Sequence, residues 1–123
     1  VAHEYPFVGE DIGAQQVLHD LVSNGHKLIL FTMRSEINYL DDAVAWFKEQ
    51  DIPLYGVQSH PEQKSWTASP KAYGELIIDD TMLGAKLVDG RYLNWQWTAE
   101  ALCAQGLITP AQLAAYDFSL YVF

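Results

Sequence analysis

The chain has 123 residues, half of them hydrophobic, and its 16 acidic and 7 basic residues give a formal net charge of −9. This length allows one compact domain over residues 1–123 and is too short for two. The acidity argues against a nucleic-acid-binding surface or an anionic membrane as a partner. No apolar run approaches the ~18 residues that span a bilayer, and no signal peptide opens the chain. The single cysteine, Cys103, cannot form an internal disulfide, so we expect a cytoplasmic protein.

Helices and strands are predicted to alternate through the first half of the chain. The segment 11–23 has apolar residues at helical spacing and ends at Asn24-Gly25, which favours a left-handed helix stop. The run Lys27–Thr32 is predicted to be a buried strand. A second amphipathic helix is predicted over 40–50, and a short strand over 54–57. This order is typical of a βαβ unit with parallel strands.

Polar groups follow the first predicted strand. Thr32, Met33 and Arg34 come directly after its last apolar residue. Backbone N–H groups and a hydroxyl can bind a phosphate, and a guanidinium can bind one through two parallel hydrogen bonds. These three residues are therefore candidate phosphate ligands. The alternative is that Thr32 only ends the strand and Arg34 pairs with a surface carboxylate.

The sequence Ser69-Pro70-Lys71 predicts a short helix or a turn, because a capping hydroxyl precedes a proline at the first helical position. It would present Lys71 at the edge of the sheet. Lys71 and Lys64 both lie shortly before an acidic stretch, which suggests that one of them balances carboxylates or a bound anion. A surface lysine without such a role is the simpler interpretation for Lys64.

The acidic stretch begins with the apolar run Leu76–Ile78, which predicts a strand buried on both faces. Asp79 and Asp80 follow at its carboxyl end, where open α/β sheets hold their ligands. Paired carboxylates suit a hard cation, Mg²⁺ above all when a phosphate is also present. The alternative is that Asp80 caps a turn and Asp79 is simply solvated.

The second half predicts a small extension of the sheet or a hairpin around Asp89-Gly90, a helix over 95–105 and a last helix that starts at Thr109-Pro110 and runs through Ala115. The apolar tail Leu120–Phe123 is expected to pack on this domain or on a second copy. The whole pattern predicts an α/β fold, a three-layer sandwich with a mostly parallel, Rossmann-like sheet.

Three of these segments, read in order as Leu-Ile-Leu-Phe-Thr-Met-Arg, Ser-Pro-Lys and Leu-Ile-Ile-Asp-Asp, closely resemble motifs of the haloacid dehalogenase-like (HAD) hydrolase superfamily. The resemblance covers roughly residues 1–84 and is greatest to small, minimally capped members. It implies that Thr32 binds phosphate, that Lys71 steadies the phosphate and nucleophile charges as a catalytic residue, and that Asp79 and Asp80 hold Mg²⁺. The implied substrate is a small phosphorylated molecule.

One motif of the superfamily is missing. Its first motif, Asp-x-Asp-x-Thr at the end of an opening strand, supplies the nucleophile and the general acid and base, yet no Asp-x-Asp occurs in this chain. We expect a chain truncated at its N-terminus, with the motif just upstream of Val1 and the usual first, central strand of the sheet absent. The tail Leu120–Phe123 is a candidate to fill that position.

Two main functions follow from the sequence. The first is Mg²⁺-dependent phosphate-ester hydrolysis through an aspartyl-phosphate when the upstream motif is present, with the chain as given inactive. The second is a non-catalytic HAD-like protein that binds a partner or self-associates through its apolar carboxyl half, which includes Trp95 and Trp97. A receiver-like or flavodoxin-like domain is a more distant possibility.

Overall fold

The computed structural model describes residues 11–34 and 37–119, with only the backbone at 37–38. The described residues form two compact units. We call 11–26 together with 78–119 the terminal unit, and 27–77, without residues 35–36, the central unit. The chain has a mixed α/β structure with short strands in two small sheets. No helix within the described ranges is long and apolar enough to cross a membrane.

The terminal unit is mainly helical. It contains α1 (Ala14–Ser23), α3 (Trp95–Ala104) and α4 (Pro110–Ala115). Helices α1 and α3 pack together, and α3 also contacts α4. Apolar side chains supply the core of the unit, with Thr98 of α3 buried beside them: Val17, Leu21, Ala99, Leu102 and Ile108. The helical spacing of the apolar residues thus predicted α1, although the helix begins three residues later than expected and packs on α3, where an amphipathic helix packed on a sheet was expected.

Local signals in the sequence fix the ends of these helices. The Asp11 carboxylate accepts hydrogen bonds from the N–H groups of Gly13, Ala14 and Gln15, which would otherwise be unpaired at the start of α1. Thr109 forms a reciprocal capping box with Gln112 at the start of α4, and Pro110 occupies the first helical position. The predicted start of α4 is confirmed.

A hairpin precedes α3. Strands β3 (Leu87–Val88) and β4 (Tyr92–Leu93) pair in antiparallel fashion. Three residues separate the paired Val88 and Tyr92, and the tight turn among them has positive φ at both Asp89 and Gly90, with Arg91 N–H donating to Val88 O at 3.0 Å. The hairpin predicted from Asp89-Gly90 is therefore confirmed.

The central unit contains β1 (Ile29–Leu30), α2 (Ile37–Glu49) and β2 (Gly56–Val57). Strands β1 and β2 pair in parallel, with Ile29 opposite Gly56 and Leu30 opposite Val57. Two further backbone bonds, from Tyr55 N–H to Leu28 O and from Gln58 N–H to Leu30 O, extend this ladder. The predicted βαβ order with parallel strands is confirmed.

Three predictions need correction. The strand predicted over Lys27–Thr32 is shorter, and Phe31 is 63% exposed instead of buried. The predicted strand Leu76–Ile78 is wrong: these residues are not in a strand, and Leu76 and Ile77 are 43% and 44% exposed. An apolar run becomes a strand only when a neighbour accepts its backbone hydrogen bonds, and no described strand pairs with it. Around Lys71 the chain forms a bend, so the helix alternative of that prediction is wrong.

Candidate functional site

The candidate phosphate loop, Thr32–Arg34, follows β1 directly and is held by one side chain that sequence reasoning did not single out. Thr32 N–H donates to Gln58 Oε1 at 2.9 Å, and Gln58 Nε2 donates to the carbonyl oxygens of Thr32 at 2.7 Å and Arg34 at 3.1 Å. Gln58 comes directly after β2. The parallel pairing of β1 with β2 therefore brings Gln58 beside the loop.

Gln58 adopts a backbone φ of 64°, which is unusual for a residue with a side chain. Such a conformation costs about 1–2 kcal/mol and persists where surrounding contacts compensate it. Here the compensating contacts are the three side-chain hydrogen bonds to the candidate loop. No local pattern around Gln58 predicts this role, because its partners lie 24 to 26 residues earlier in the chain.

Hydrogen bonds within the loop limit what it can bind. Arg34 N–H donates to Thr32 Oγ1 at 3.2 Å, so this N–H and that of Thr32 both have partners in the protein. The Thr32 hydroxyl can still donate its own proton. Arg34 Nη1 donates to the Tyr39 carbonyl at 2.9 Å, which anchors the guanidinium to the start of α2. Met33 projects outward and is 86% exposed.

Lys71 lies on a second loop of the central unit, and that loop is organised by Gln63. Gln63 is only 7% exposed. Its Nε2 donates to the carbonyl oxygens of Ser69 at 3.0 Å and Lys71 at 2.6 Å, and its Oε1 accepts from Tyr73 N–H at 2.7 Å. A buried amide with all three bonds made fixes the backbone around Lys71. The Lys71 side chain itself is exposed.

Asp79 and Asp80 lie in the terminal unit, at a turn. Asp79 Oδ1 accepts from Thr81 N–H at 3.1 Å. Partial burial raises the pKa of Asp79, but hydrogen bonds from Thr81 and Asp80 outweigh this effect and hold the pKa below its ordinary value. The turn expected from the simpler interpretation of this pair is present, but its cap is Asp79, which that interpretation left solvated.

The structure thus brings together only some of the predicted site residues. Thr32, Met33 and Arg34 form one hydrogen-bonded loop, and Lys71 belongs to the same central unit, whereas Asp79 and Asp80 belong to the terminal unit. Asp79 and Asp80 offer oxygen ligands only, which fits Mg²⁺, an ion that keeps several of its waters. Within the described residues no cluster of three or more acidic, histidine or cysteine side chains is suited to a metal.

Two features of the sequence prediction concern residues that the structure does not describe. The proposed filling of the sheet by Leu120–Phe123 lies outside the described residues. So does the segment 1–9, which its Pro6 and Gly9 and the lack of any sustained apolar period predict to be a loop. Comparison with known proteins finds no matching family model, curated protein or solved structure.

Proposed function

We propose that this chain is part of a HAD-like, Mg²⁺-dependent phosphohydrolase that acts on a small phosphorylated molecule. The observation that carries the proposal is the loop Thr32–Arg34, placed at the carboxyl end of a strand in a parallel βαβ unit and fixed by Gln58. Ligands bind at this end of the strands in open parallel sheets. It follows from this proposal that the complete protein has the three-layer sandwich and Rossmann-like sheet of the superfamily.

Each candidate residue has a definite task in this reaction. The Thr32 hydroxyl donates a hydrogen bond to a phosphate oxygen. Lys71 places a positive charge near the transferred group and the attacking carboxylate, both of which are negative. Asp79 and Asp80 would hold Mg²⁺, which supplies charge neutralisation for the phosphate when it is bound.

Hydrolysis through an aspartyl-phosphate also needs the Asp-x-Asp motif, which these 123 residues do not contain. The proposal therefore applies to a chain in which that motif precedes Val1. Without the attacking carboxylate, the residues described above can bind and orient a phosphate but cannot open the ester bond.

The test is a phosphatase assay with p-nitrophenyl phosphate on the chain and on a form extended upstream by its native residues to include the motif. We expect Mg²⁺-dependent turnover in the extended form alone. In that form, Asp79→Asn should lower kcat by roughly 100-fold or more, since a group that stabilises transition-state charge is removed.

Asp89→Asn is the matched control, because Asp89 lies at the tip of the β3–β4 hairpin, in a conformation that asparagine tolerates. It should leave turnover unchanged. Equal activity of Asp79→Asn and the natural sequence would refute the metal role of Asp79. Absence of turnover in the extended form would refute hydrolysis.

The second candidate function is self-association without catalysis, and it is favoured by the exposure of Phe31 and Met33 beside the loop. Trp95 and Trp97, which first suggested this function, are half-buried. Sedimentation equilibrium over a range of concentrations tests it. A dimer that Met33→Ser weakens would support this function, and a monomer at every concentration would exclude it.

A further inference from the structure

A cleft in the central unit has a volume of about 270 Å³. It lies beside the loop that carries Lys71, and Gln63 holds that loop in place through its three hydrogen bonds. Ligand pockets in proteins begin at about 300 Å³, so this cleft suits a molecule of roughly one ring and not a dinucleotide. The side chains that give the cleft its chemical character are Trp66, Thr67, Ser69, Lys71, Tyr73 and Ile77.

Two aromatic side chains form one wall. The rings of Trp66 and Tyr73 lie 5.4 Å apart with their planes at 87°. Their residues remain 56% and 48% exposed. Since the edge of one ring meets the face of the other, each ring keeps a face that is not covered by its partner. His60 contacts both rings edge to face, with its ring centroid 6.2 Å from that of Trp66 and 5.9 Å from that of Tyr73.

The polar groups of the cleft are the Lys71 ammonium and the hydroxyls of Ser69 and Thr67. Within the described residues, the Lys71 side chain makes no hydrogen bond or ion pair. Ser69 Oγ accepts from Lys71 N–H and Thr67 Oγ1 accepts from Ser69 N–H, both at 3.2 Å. Each hydroxyl therefore retains its own proton for donation. An ammonium group and two hydroxyl donors next to aromatic faces suit an anion joined to a ring, and they supply the local positive charge that a chain of net charge −9 otherwise lacks.

We propose that this cleft binds a small planar aromatic molecule that carries an anionic group, with the ring on Trp66 and Tyr73 and the anion at Lys71. The choice of phosphate as the anion rests on the proposed function, because Lys71 is the residue assigned there to the substrate phosphate. The preference for an aromatic ring does not depend on the proposed function. The proposal therefore defines the substrate class as aryl phosphates.

The experiment is an NMR titration of the full 123-residue chain with phenyl phosphate, inorganic phosphate and cyclohexyl phosphate, without Mg²⁺. The indole N–H signal of Trp66 is assigned from its loss in Trp66→Phe. We expect phenyl phosphate to shift this signal and the Lys71 amide, and to bind about 3- to 10-fold more tightly than either other ligand, from its stacking on the aromatic rings. Lys71→Met should weaken binding about 2- to 5-fold, as for an exposed ion pair.

Lys64→Met is the matched control, because Lys64 is an exposed lysine nearby that does not line the cleft. It should leave the affinity unchanged. Equal affinity for phenyl and cyclohexyl phosphate, or shifts remote from Trp66, would overturn the proposal, and so would equal effects of Lys71→Met and Lys64→Met. Binding of phenyl phosphate by this chain together with an inactive extended form would support the cleft and refute hydrolysis, so the two proposals fail separately.

Discussion

Gln58 and Thr32 exchange two hydrogen bonds across 26 residues of sequence, one from Thr32 N–H to Gln58 Oε1 at 2.9 Å and one from Gln58 Nε2 to Thr32 O at 2.7 Å. The pair joins the ends of two parallel strands, β1 and β2. It fixes the backbone of the candidate phosphate loop while the Thr32 hydroxyl can still donate to a ligand. Rigidity of this kind favours binding, because less conformational freedom is lost when a ligand arrives.

The first prediction concerns Gln58. Replacing it by alanine removes three partly buried hydrogen bonds but keeps the strained φ, so we expect the free energy of unfolding to fall by about 1–3 kcal/mol. Gln58→Gly removes the same bonds but relieves the backbone strain, so it should be about 1 kcal/mol more stable than the alanine variant. Urea unfolding measures both. Equal stability of the two variants would show that the φ of 64° carries no cost.

Gly56 in β2 provides the second prediction. A Cβ at this position would lie 2.4 Å from the Ser59 carbonyl oxygen and 3.0 Å from Pro61 Cδ. Because the oxygen belongs to the backbone, it can move away only if the turn after β2 changes shape. We expect Gly56→Ala to lower the free energy of unfolding by about 2 kcal/mol or more. Urea unfolding with circular dichroism detection measures the loss.

The control for Gly56 is Gly74, where the nearest heavy atom to an added Cβ is 3.8 Å away, an ordinary contact. Gly74→Ala should change stability by less than about 1 kcal/mol, and it can stabilise by restricting the unfolded chain. If both variants lose the same stability, the close approach of the backbone at Gly56 does not explain the loss.

The third prediction concerns pH. The pKa of Asp79 is lower in the folded chain than in an unfolded one, because the hydrogen bonds from Thr81 and Asp80 outweigh partial burial. The carboxylate therefore stabilises the fold fully above the unfolded value of about 3.9, and this stabilisation is lost as the pH falls through the lowered pKa. The advantage of the natural chain over Asp79→Asn should shrink as the pH falls over that range.

Urea unfolding at a series of pH values checks this trend. Asp89→Asn, which removes one negative charge from the same unit, corrects for the change in net charge. A stability difference between the natural chain and Asp79→Asn that is constant with pH, after this correction, would contradict the assigned hydrogen bonds.

The sequence predicts best where the signal is local. The hairpin at Asp89-Gly90 and the start of α4 at Thr109-Pro110 depend on residues within three or four positions of each other, and both are found as expected. Helix α1 follows from the spacing of its apolar residues. In each case the residues that give the signal are also the residues that make the contacts.

The predictions fail where structure depends on distant partners. Leu76–Ile78 has the composition of a buried strand, yet no described strand pairs with it and two of its side chains are exposed. Gln58 was missed for the same reason, because its importance comes from the pairing of β1 with β2. The assignment of Thr32, Lys71, Asp79 and Asp80 to one catalytic site remains a prediction from the order of the motifs.

The last prediction concerns a pair of amides in the terminal unit. Asn24 Nδ2 donates to Gln112 Oε1 at 2.7 Å, and Gln112 Nε2 donates to Asn24 Oδ1 at 2.9 Å. The pair joins the end of α1 to the first turn of α4 across 88 residues of sequence. Since the paired side chains are exposed, each bond is expected near the lower end of the usual range, about 0.5 kcal/mol.

A double-mutant cycle with Asn24→Ala and Gln112→Ala isolates this pair, and urea unfolding supplies the free energies. We expect a coupling energy of about 0.5–1 kcal/mol. Each single change also removes one further bond, from Thr109 N–H in Gln112→Ala and to Leu107 O in Asn24→Ala, so the two should cost about the same. Gln105→Ala is the control, an exposed amide in the same unit whose side chain makes no hydrogen bond within the described residues. A coupling energy indistinguishable from zero would mean that water replaces the Asn24–Gln112 bonds without loss, so that this pair does not help to hold α1 against α4.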